Sequence, residues 1–145
     1  MERGKYNYII LPEKRLIIRY YHGAFSLSDL FAVMDATGQD NLYDPTFNVI
    51  NDFRDGTSGV KIKEINELFG YIKGHNRLYG NRRSAFLTKT PDQTVLRMML
   101  RLLKYEHIIN LKTFSTLQEA TEWLGLPNSE LEALEKTLEE FKKAT

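Results

Sequence analysis

Short β-rich runs alternate with amphipathic helical segments along this chain, and this alternation limits the possible folds more than any other feature. Five runs have strand character, at residues 5–11, 15–22, 46–53, 82–88 and 108–114. Helical periodicity begins at Ser26, near residue 60, near residue 91, at Thr116 and at Ser129. Strands separated by helices usually pair in parallel, whereas the first two runs, joined by a turn at Pro12–Lys14, predict an antiparallel hairpin. The sequence therefore predicts an α/β fold, with helices packed on a mixed, mostly parallel sheet of about five strands.

Three of the helix starts have a hydroxyl residue followed three positions later by an acidic one. In such a capping box the hydroxyl accepts a backbone N–H of the first turn, and the acidic side chain reaches back to the capping residue. The pairs are Ser26 with Asp29, Thr116 with Glu119, and Ser129 with Glu132. We expect Gly38 to end the first helix in the left-handed conformation, and Gly125 with Pro127 to end the helix that starts at Thr116.

The chain length predicts one domain, over residues 1–126, followed by a charged amphipathic helix within residues 127–145. That last helix has a narrow apolar stripe, formed by Leu131, Leu134, Leu138 and Phe141. A stripe of this kind faces a core in most surface helices. We therefore expect the last helix to pack on the preceding domain.

The sequence contains no cysteine, which excludes disulfides, thiolate nucleophiles and cysteine-ligated zinc or iron–sulfur sites. The first residues lack the apolar region of a signal peptide. No apolar run approaches the roughly 18–20 residues that a membrane span needs. We therefore expect a cytoplasmic protein without a membrane span.

Positive charge is concentrated in the middle of the chain. Residues 61–104 contain ten Lys and Arg against three Asp and Glu, although the net charge of the whole chain is only +1. Basic residues with aromatic neighbours can hold single-stranded nucleic acid, but the sequence pI of about 7.9 lies below the range typical of such domains. We favour solvated helix faces, with an anion-facing surface as the alternative, and we predict no nucleic-acid partner.

The stretch Arg54–Gly59 is interpreted as a turn-rich link between the third strand and the second helix. Open α/β sheets bind ligands at the carboxyl ends of their strands, and helix N-termini attract anions. The candidate residues for phosphorylation or anion contact are Asp55, Thr57, Ser58 and Gly59. The simpler interpretation is that Thr57 or Ser58 caps the helix while the glycines serve the turn.

No metal-binding or catalytic pattern is recognisable. Asp52 and Asp55 offer too few oxygens for a hard cation, and the three histidines lack the spacing of metal ligands. No nucleophile elbow or phosphate-binding glycine loop is present. The prediction is a protein without a metal, without a cofactor and without enzymatic activity.

The helix predicted near residues 91–105 has more apolar surface than one buried face requires. Its apolar side chains cover an arc of about 220°, against the roughly 100° of a one-sided surface helix. The surplus face could meet the last helix, a second subunit in a homodimer, or a lipid-like ligand. The residues proposed for such an interface are Leu96, Leu100 and Leu103.

Three segments together resemble the bacterial STAS-like proteins, which are related in fold to the anti-sigma-factor antagonists and are often labelled STAS/SEC14-like. They are Val49–Gly59 with the helix that follows, Ser84–Leu87, and the run from Thr113 to Leu124, which reads TFSTLQEATEWL. The resemblance covers roughly residues 6–126. It implies a mixed sheet of about five strands, and a role in protein interaction or ligand sensing rather than turnover.

In anti-sigma-factor antagonists, a partner kinase phosphorylates a serine that opens the helix after the third strand. The matching stretch here is Asp55–Gly59, in which an extra glycine displaces the aspartate. The resulting expectation is a non-catalytic regulatory module with a protein partner. The alternative is a binding protein for a small apolar or anionic ligand.

Overall fold

A computed structural model describes residues 6–74, 82–89 and 110–144, and it places five strands in one sheet. The strands are β1 (Tyr6–Leu11), β2 (Leu16–Phe25), β3 (Asn48–Ser58), β4 (Arg83–Leu87) and β5 (Asn110–Phe114). The helices within the described ranges are α1 (Leu27–Gly38), α2 (Ile62–Gly74), α3 (Leu117–Trp123) and α4 (Leu131–Lys143).

The strands lie side by side in the order in which they occur along the chain. β1 pairs antiparallel with β2 across the short 3-10 turn Pro12–Lys14, and the pairs β2–β3, β3–β4 and β4–β5 are all parallel. The predicted α/β class, the hairpin and the mostly parallel sheet of five strands are confirmed.

Helices cover both faces of the sheet. α1 and α2 bury Leu30, Val33 and Leu68 against Tyr21 and other residues of one face. On the opposite face the apolar side chains of α3 and α4 form a second core with residues of β2, β3 and β4, namely Leu117, Ala120, Leu134 and Leu138 with Leu16, Ile18, Ile50, Ala85 and Leu87. The apolar stripe of the last helix is therefore a core face, as its spacing predicts.

Of the three predicted capping boxes, the structure shows one in full at Ser26 and the hydroxyl half of a second at Thr116. The Ser26 hydroxyl accepts the Asp29 N–H and the Asp29 carboxylate accepts the Ser26 N–H, which is the predicted capping box. The Thr116 hydroxyl likewise accepts the Glu119 N–H. The prediction at Ser129 is wrong, because a 3-10 turn (Asn128–Glu130) precedes α4 and no side chain of the described residues caps either element.

Of the two predicted helix ends, one is confirmed and the other is wrong. Gly125 follows α3 with a φ of 77°, and the N–H groups of Leu126 and Gly125 return to the carbonyls of Thr121 and Glu122, which is a Schellman motif. The left-handed cap predicted at Gly38 is wrong. Gly38 is still helical, and the chain continues from Gln39 in right-handed geometry.

The third strand is longer than predicted. It continues through Arg54–Ser58, which was predicted to belong to a turn-rich link. This stretch stays extended because it pairs with the equally extended end of β2. α2 therefore begins at Ile62, and neither Thr57 nor Ser58 stands at its first turn.

The helix predicted over residues 91–105 lies outside the described residues, as do its interface candidates Leu96, Leu100 and Leu103. Among the residues that are described, no helix is long and apolar enough to cross a membrane.

The two serines at predicted helix starts provide a matched test of the capping geometry. Ser26→Ala removes the oxygen that accepts the Asp29 N–H, so we expect it to lower the free energy of unfolding by about 1 kcal/mol. Ser129→Ala removes an exposed hydroxyl that caps no helix, so its effect should stay within about 0.5 kcal/mol. Urea denaturation of both variants measures the difference, and equal losses would contradict the observed start of α4.

Candidate functional site

The central strands β2 and β3 extend further than the strands on the other side of β3. β3 pairs with β4 only as far as Asp52 opposite Leu87, where β4 ends, whereas β2 and β3 stay paired as far as Phe25 and Ser58. β5 ends at the same level, at Phe114. The sheet edge therefore steps back beside β3, at the carboxyl ends of β4 and β5, and open α/β sheets bind their ligands at the carboxyl ends of their strands.

A β-bulge turns β3 at this step. Tyr20 is paired with Asp52 and His22 with Asp55, so that β3 has two residues, Phe53 and Arg54, where β2 has only Tyr21. A bulge of this kind changes the direction of the following side chains. As a result Asp52, Arg54 and Asp55 all line one cleft on the α4 side of the sheet.

This cleft, here called the carboxyl-edge cleft, has a volume of about 400 Å³, which lies within the range of small-molecule sites. β2 and β3 contribute one wall, the residues that follow β4 and β5 a second, and α4 a third. The lining residues are Tyr20, Asp52, Arg54, Asp55, Thr88, Lys89, Ser115, Leu138, Glu139 and Lys142.

An ion pair holds the floor of the cleft in place. The Asp52 carboxylate is buried and accepts three N–H groups of Arg54, from the backbone at 3.0 Å, from Nε at 3.0 Å and from Nη2 at 2.9 Å. These bonds raise the pKa of Arg54, although partial burial opposes the shift. The guanidinium side chain is 31% exposed, so it stays charged at the cleft surface.

A second polar pair lies beside the first. The Tyr20 hydroxyl donates to Asp55 Oδ2 at 2.6 Å, and burial together with this hydrogen bond raises the pKa of Tyr20. The Tyr20 ring stacks on Phe141 of α4, with ring centroids 6.2 Å apart. Tyr20 thus joins the polar floor of the cleft to the helix that covers it.

α4 separates the cleft from a second groove of about 340 Å³. Arg54, Leu138 and Glu139 line both spaces, and the groove is completed by Thr116, Leu117, Gln118, Leu131 and Glu135. α4 is therefore a wall that the two spaces share.

The candidate residues predicted from the sequence do not all lie at the cleft. Asp55 lines it, whereas Thr57, Ser58 and Gly59 follow further along the chain and are not among its lining residues. Thr57 is exposed at the end of the β2–β3 pair.

Backbone donors near Ser58 are engaged within the protein. The Ser58 hydroxyl accepts the Val60 N–H, the Gly59 N–H donates to the Phe25 carbonyl, and the Lys61 N–H donates to Glu64. Phosphorylation or anion binding at Asp55–Gly59 stays a prediction.

The two aspartates considered for a metal site have protein partners, since Asp52 is bound by Arg54 and Asp55 by Tyr20. In the described ranges, no three His, Cys, Asp or Glu side chains are grouped so that they could hold a metal ion. His22 stacks on Tyr20, while His75 and His107 fall outside those ranges.

Most residues of the carboxyl-edge cleft were not predicted from the sequence. Thr88 and Lys89 follow β4 and Ser115 follows β5, so the rule that carboxyl ends of parallel strands converge could have found them. The contribution of α4 could not be found in this way, because no local pattern shows over which strands a terminal helix packs.

The Asp52–Arg54 pair can be tested by removing one charge. Asp52→Asn leaves the guanidinium with a weaker acceptor next to a buried amide, so we expect a loss of about 1–3 kcal/mol in the free energy of unfolding. Glu139→Gln makes the same charge change on an exposed side chain of α4 and should cost less than about 0.5 kcal/mol. Urea denaturation measures both losses as shifts of the unfolding midpoint, provided that the dependence of the unfolding free energy on urea concentration is unchanged. Equal effects would show that Arg54 does not hold Asp52 as described.

Neither a comparison with models of known protein families nor a comparison with curated proteins gives a match for this chain. The resemblance to STAS-like proteins stays a prediction.

Proposed function

We propose that the protein is a regulatory binding domain that takes a small polar ligand with an anionic group in the carboxyl-edge cleft. One observation carries this proposal: the cleft opens where β4 and β5 end beside the longer β3, and its floor is fixed by the Asp52–Arg54 pair. A floor that is held in place before the ligand arrives lowers the entropy cost of binding.

The charges of the cleft indicate the chemistry of the ligand. Arg54, Lys89 and Lys142 contribute positive charge, and Arg54 binds Asp52 through only part of its N–H donors. A guanidinium has five such donors, so others remain for a carboxylate or phosphate of the ligand. The exposed ammonium of Lys89 adds a second cationic contact.

The other residues that line the cleft fit the part of the ligand that does not carry the anionic group. Asp55 and Glu139 accept hydrogen bonds from hydroxyl or amino groups, and the hydroxyls of Thr88 and Ser115 can donate or accept. The buried side chain of Leu138 supplies apolar contact. This combination favours a small amphipathic metabolite over a purely apolar lipid.

Ligand binding is tested with the full chain by thermal shift and isothermal titration, against a panel of small carboxylates, phosphate esters and amino acids. We expect at least one compound to raise the Tm of the wild type, and Lys89→Ala to weaken its binding at least tenfold. Lys61→Ala removes an exposed lysine before α2, outside the cleft lining, and should bind as the wild type does. The proposal fails if the panel gives no shift, or if both lysine variants bind equally.

A protein-interaction module of the STAS-like type is the second candidate, and the exposure of Thr57 favours it. The β2–β3 pair projects beyond β4, and Gly23, Ala24 and Thr57 are exposed at its end. A projecting pair with an accessible hydroxyl suits recognition by a partner and modification by a kinase. Ser58 is less accessible, because it is partly buried and its oxygen accepts the Val60 N–H.

Phosphorylation is tested by incubating the protein with ATP and a cell lysate, followed by peptide mass spectrometry. We expect one phosphate on Thr57, absent from Thr57→Ala and retained in Ser58→Ala. A phosphate found only on Ser58, or on neither residue, would contradict this assignment.

A further inference from the structure

Arg19 carries a charge into the interior of the sheet. It lies in the middle of β2, on the α1 side, between the fully buried Ile17 and the buried Tyr21. Its exposed fraction is only 5%. Arginine is seldom buried to this extent without a partner, because removing the charge from water is costly.

The described residues provide few hydrogen-bond acceptors for this guanidinium. Nε donates to the Thr37 hydroxyl at a long 3.4 Å, and that hydroxyl itself donates to the Val33 carbonyl. Nη2 is buried and has no hydrogen-bond acceptor in the described part of the chain. A buried donor in this state costs free energy that a suitable acceptor would recover.

A second guanidinium lies beside the core cluster next to Arg19, because Tyr43 packs with Ile17, the neighbour of Arg19 on its face of β2. Arg82, just before β4, places its Cζ 5.7 Å from the ring centroid of the buried Tyr43. Burial lowers the pKa of Arg19. Tyr21 and Tyr43 oppose this shift, whereas the positive charge of Arg82 adds to it. An anion that contacts both guanidinium groups would relieve this repulsion.

Asn51 places a neutral polar side chain next to Arg19. It is the register partner of Arg19 on β3, so both side chains lie on the same face of the sheet, and its exposed fraction is 6%. The next residue of β3, Asp52, lines the carboxyl-edge cleft on the opposite face. The groups around Arg19 are thus separated from the cleft by the sheet itself.

We propose that Arg19 and Arg82, with Asn51 beside them, form a second binding site, for a small oxyanion, on the α1 face of the sheet. The ligand chemistry is that of a phosphate or sulfate group, either as the free ion or as the terminal group of a metabolite. Its oxygens accept the N–H donor of Arg19 that the described residues leave unused, and its charge offsets the repulsion between the two guanidinium groups.

The test uses the full chain, with inorganic phosphate, sulfate and glycerol phosphate as probes and chloride at matched ionic strength as the reference. We expect saturable binding of at least one oxyanion by isothermal titration, with a rise in Tm that chloride does not produce. If glycerol phosphate binds tighter than the free ion, the site belongs to a phosphorylated metabolite; the reverse order assigns it to the free ion.

Two matched variants identify the site. Arg82→Gln should weaken oxyanion binding at least tenfold, while Arg83→Gln changes the adjacent exposed arginine and should leave it unchanged. Arg19→Met keeps the length of the side chain and removes its charge. It should abolish oxyanion binding without lowering the Tm in chloride, because a buried unpaired charge is replaced by an apolar side chain.

A further variant separates this site from the carboxyl-edge cleft. Lys89→Ala weakens a ligand of the cleft and should not affect oxyanion binding at Arg19. The second site is refuted if no oxyanion binds better than chloride, or if binding is lost in Lys89→Ala but kept in Arg82→Gln. If Arg19→Met does not fold, the comparison of Arg82→Gln with Arg83→Gln still decides the matter.

Discussion

β2 and β3 lie in the middle of the sheet and are covered on both faces, so a polar side chain on either strand has to be compensated inside the protein. Asp52 meets this condition through the three N–H groups of Arg54. Within the described residues Arg19 meets it only in part, through one long bond to Thr37. Burial on both faces therefore makes a partner for each polar side chain of these strands a requirement of the fold.

The architecture was predictable because it depends on periodicity. Alternating apolar residues and helical stripes recur over many positions, and they predict the five strands, the hairpin and the core face of α4. The capping box at Ser26 was predictable for a related reason, since all its atoms lie within one turn of the chain. Ser129 has the same spacing, yet the chain forms a 3-10 turn there, so the pattern alone does not show where a helix begins.

The candidate site was less predictable, because its geometry depends on pairing between distant residues. The composition of Arg54–Gly59 is typical of a turn, but the stretch pairs with the end of β2 and stays extended. The bulge that brings Arg54 and Asp55 to the same face is visible only in the register of two strands. Asp55 was recognised from its position after a strand, whereas Tyr20 and the residues of α4 reach the cleft through contacts that no local sequence records.

The sequential strand order also affects how the chain folds. Right-handed crossovers between neighbouring parallel strands place the connecting helices on one face, where α1 and α2 are found. The other face is covered by α3 and α4, so that Leu16 and Ile18 are enclosed together with Leu134 and Leu138. These contacts join residues more than a hundred positions apart, and contacts between residues so distant in the sequence slow folding. During synthesis, this side of the core therefore lacks Leu134 and Leu138 until α4 has left the ribosome.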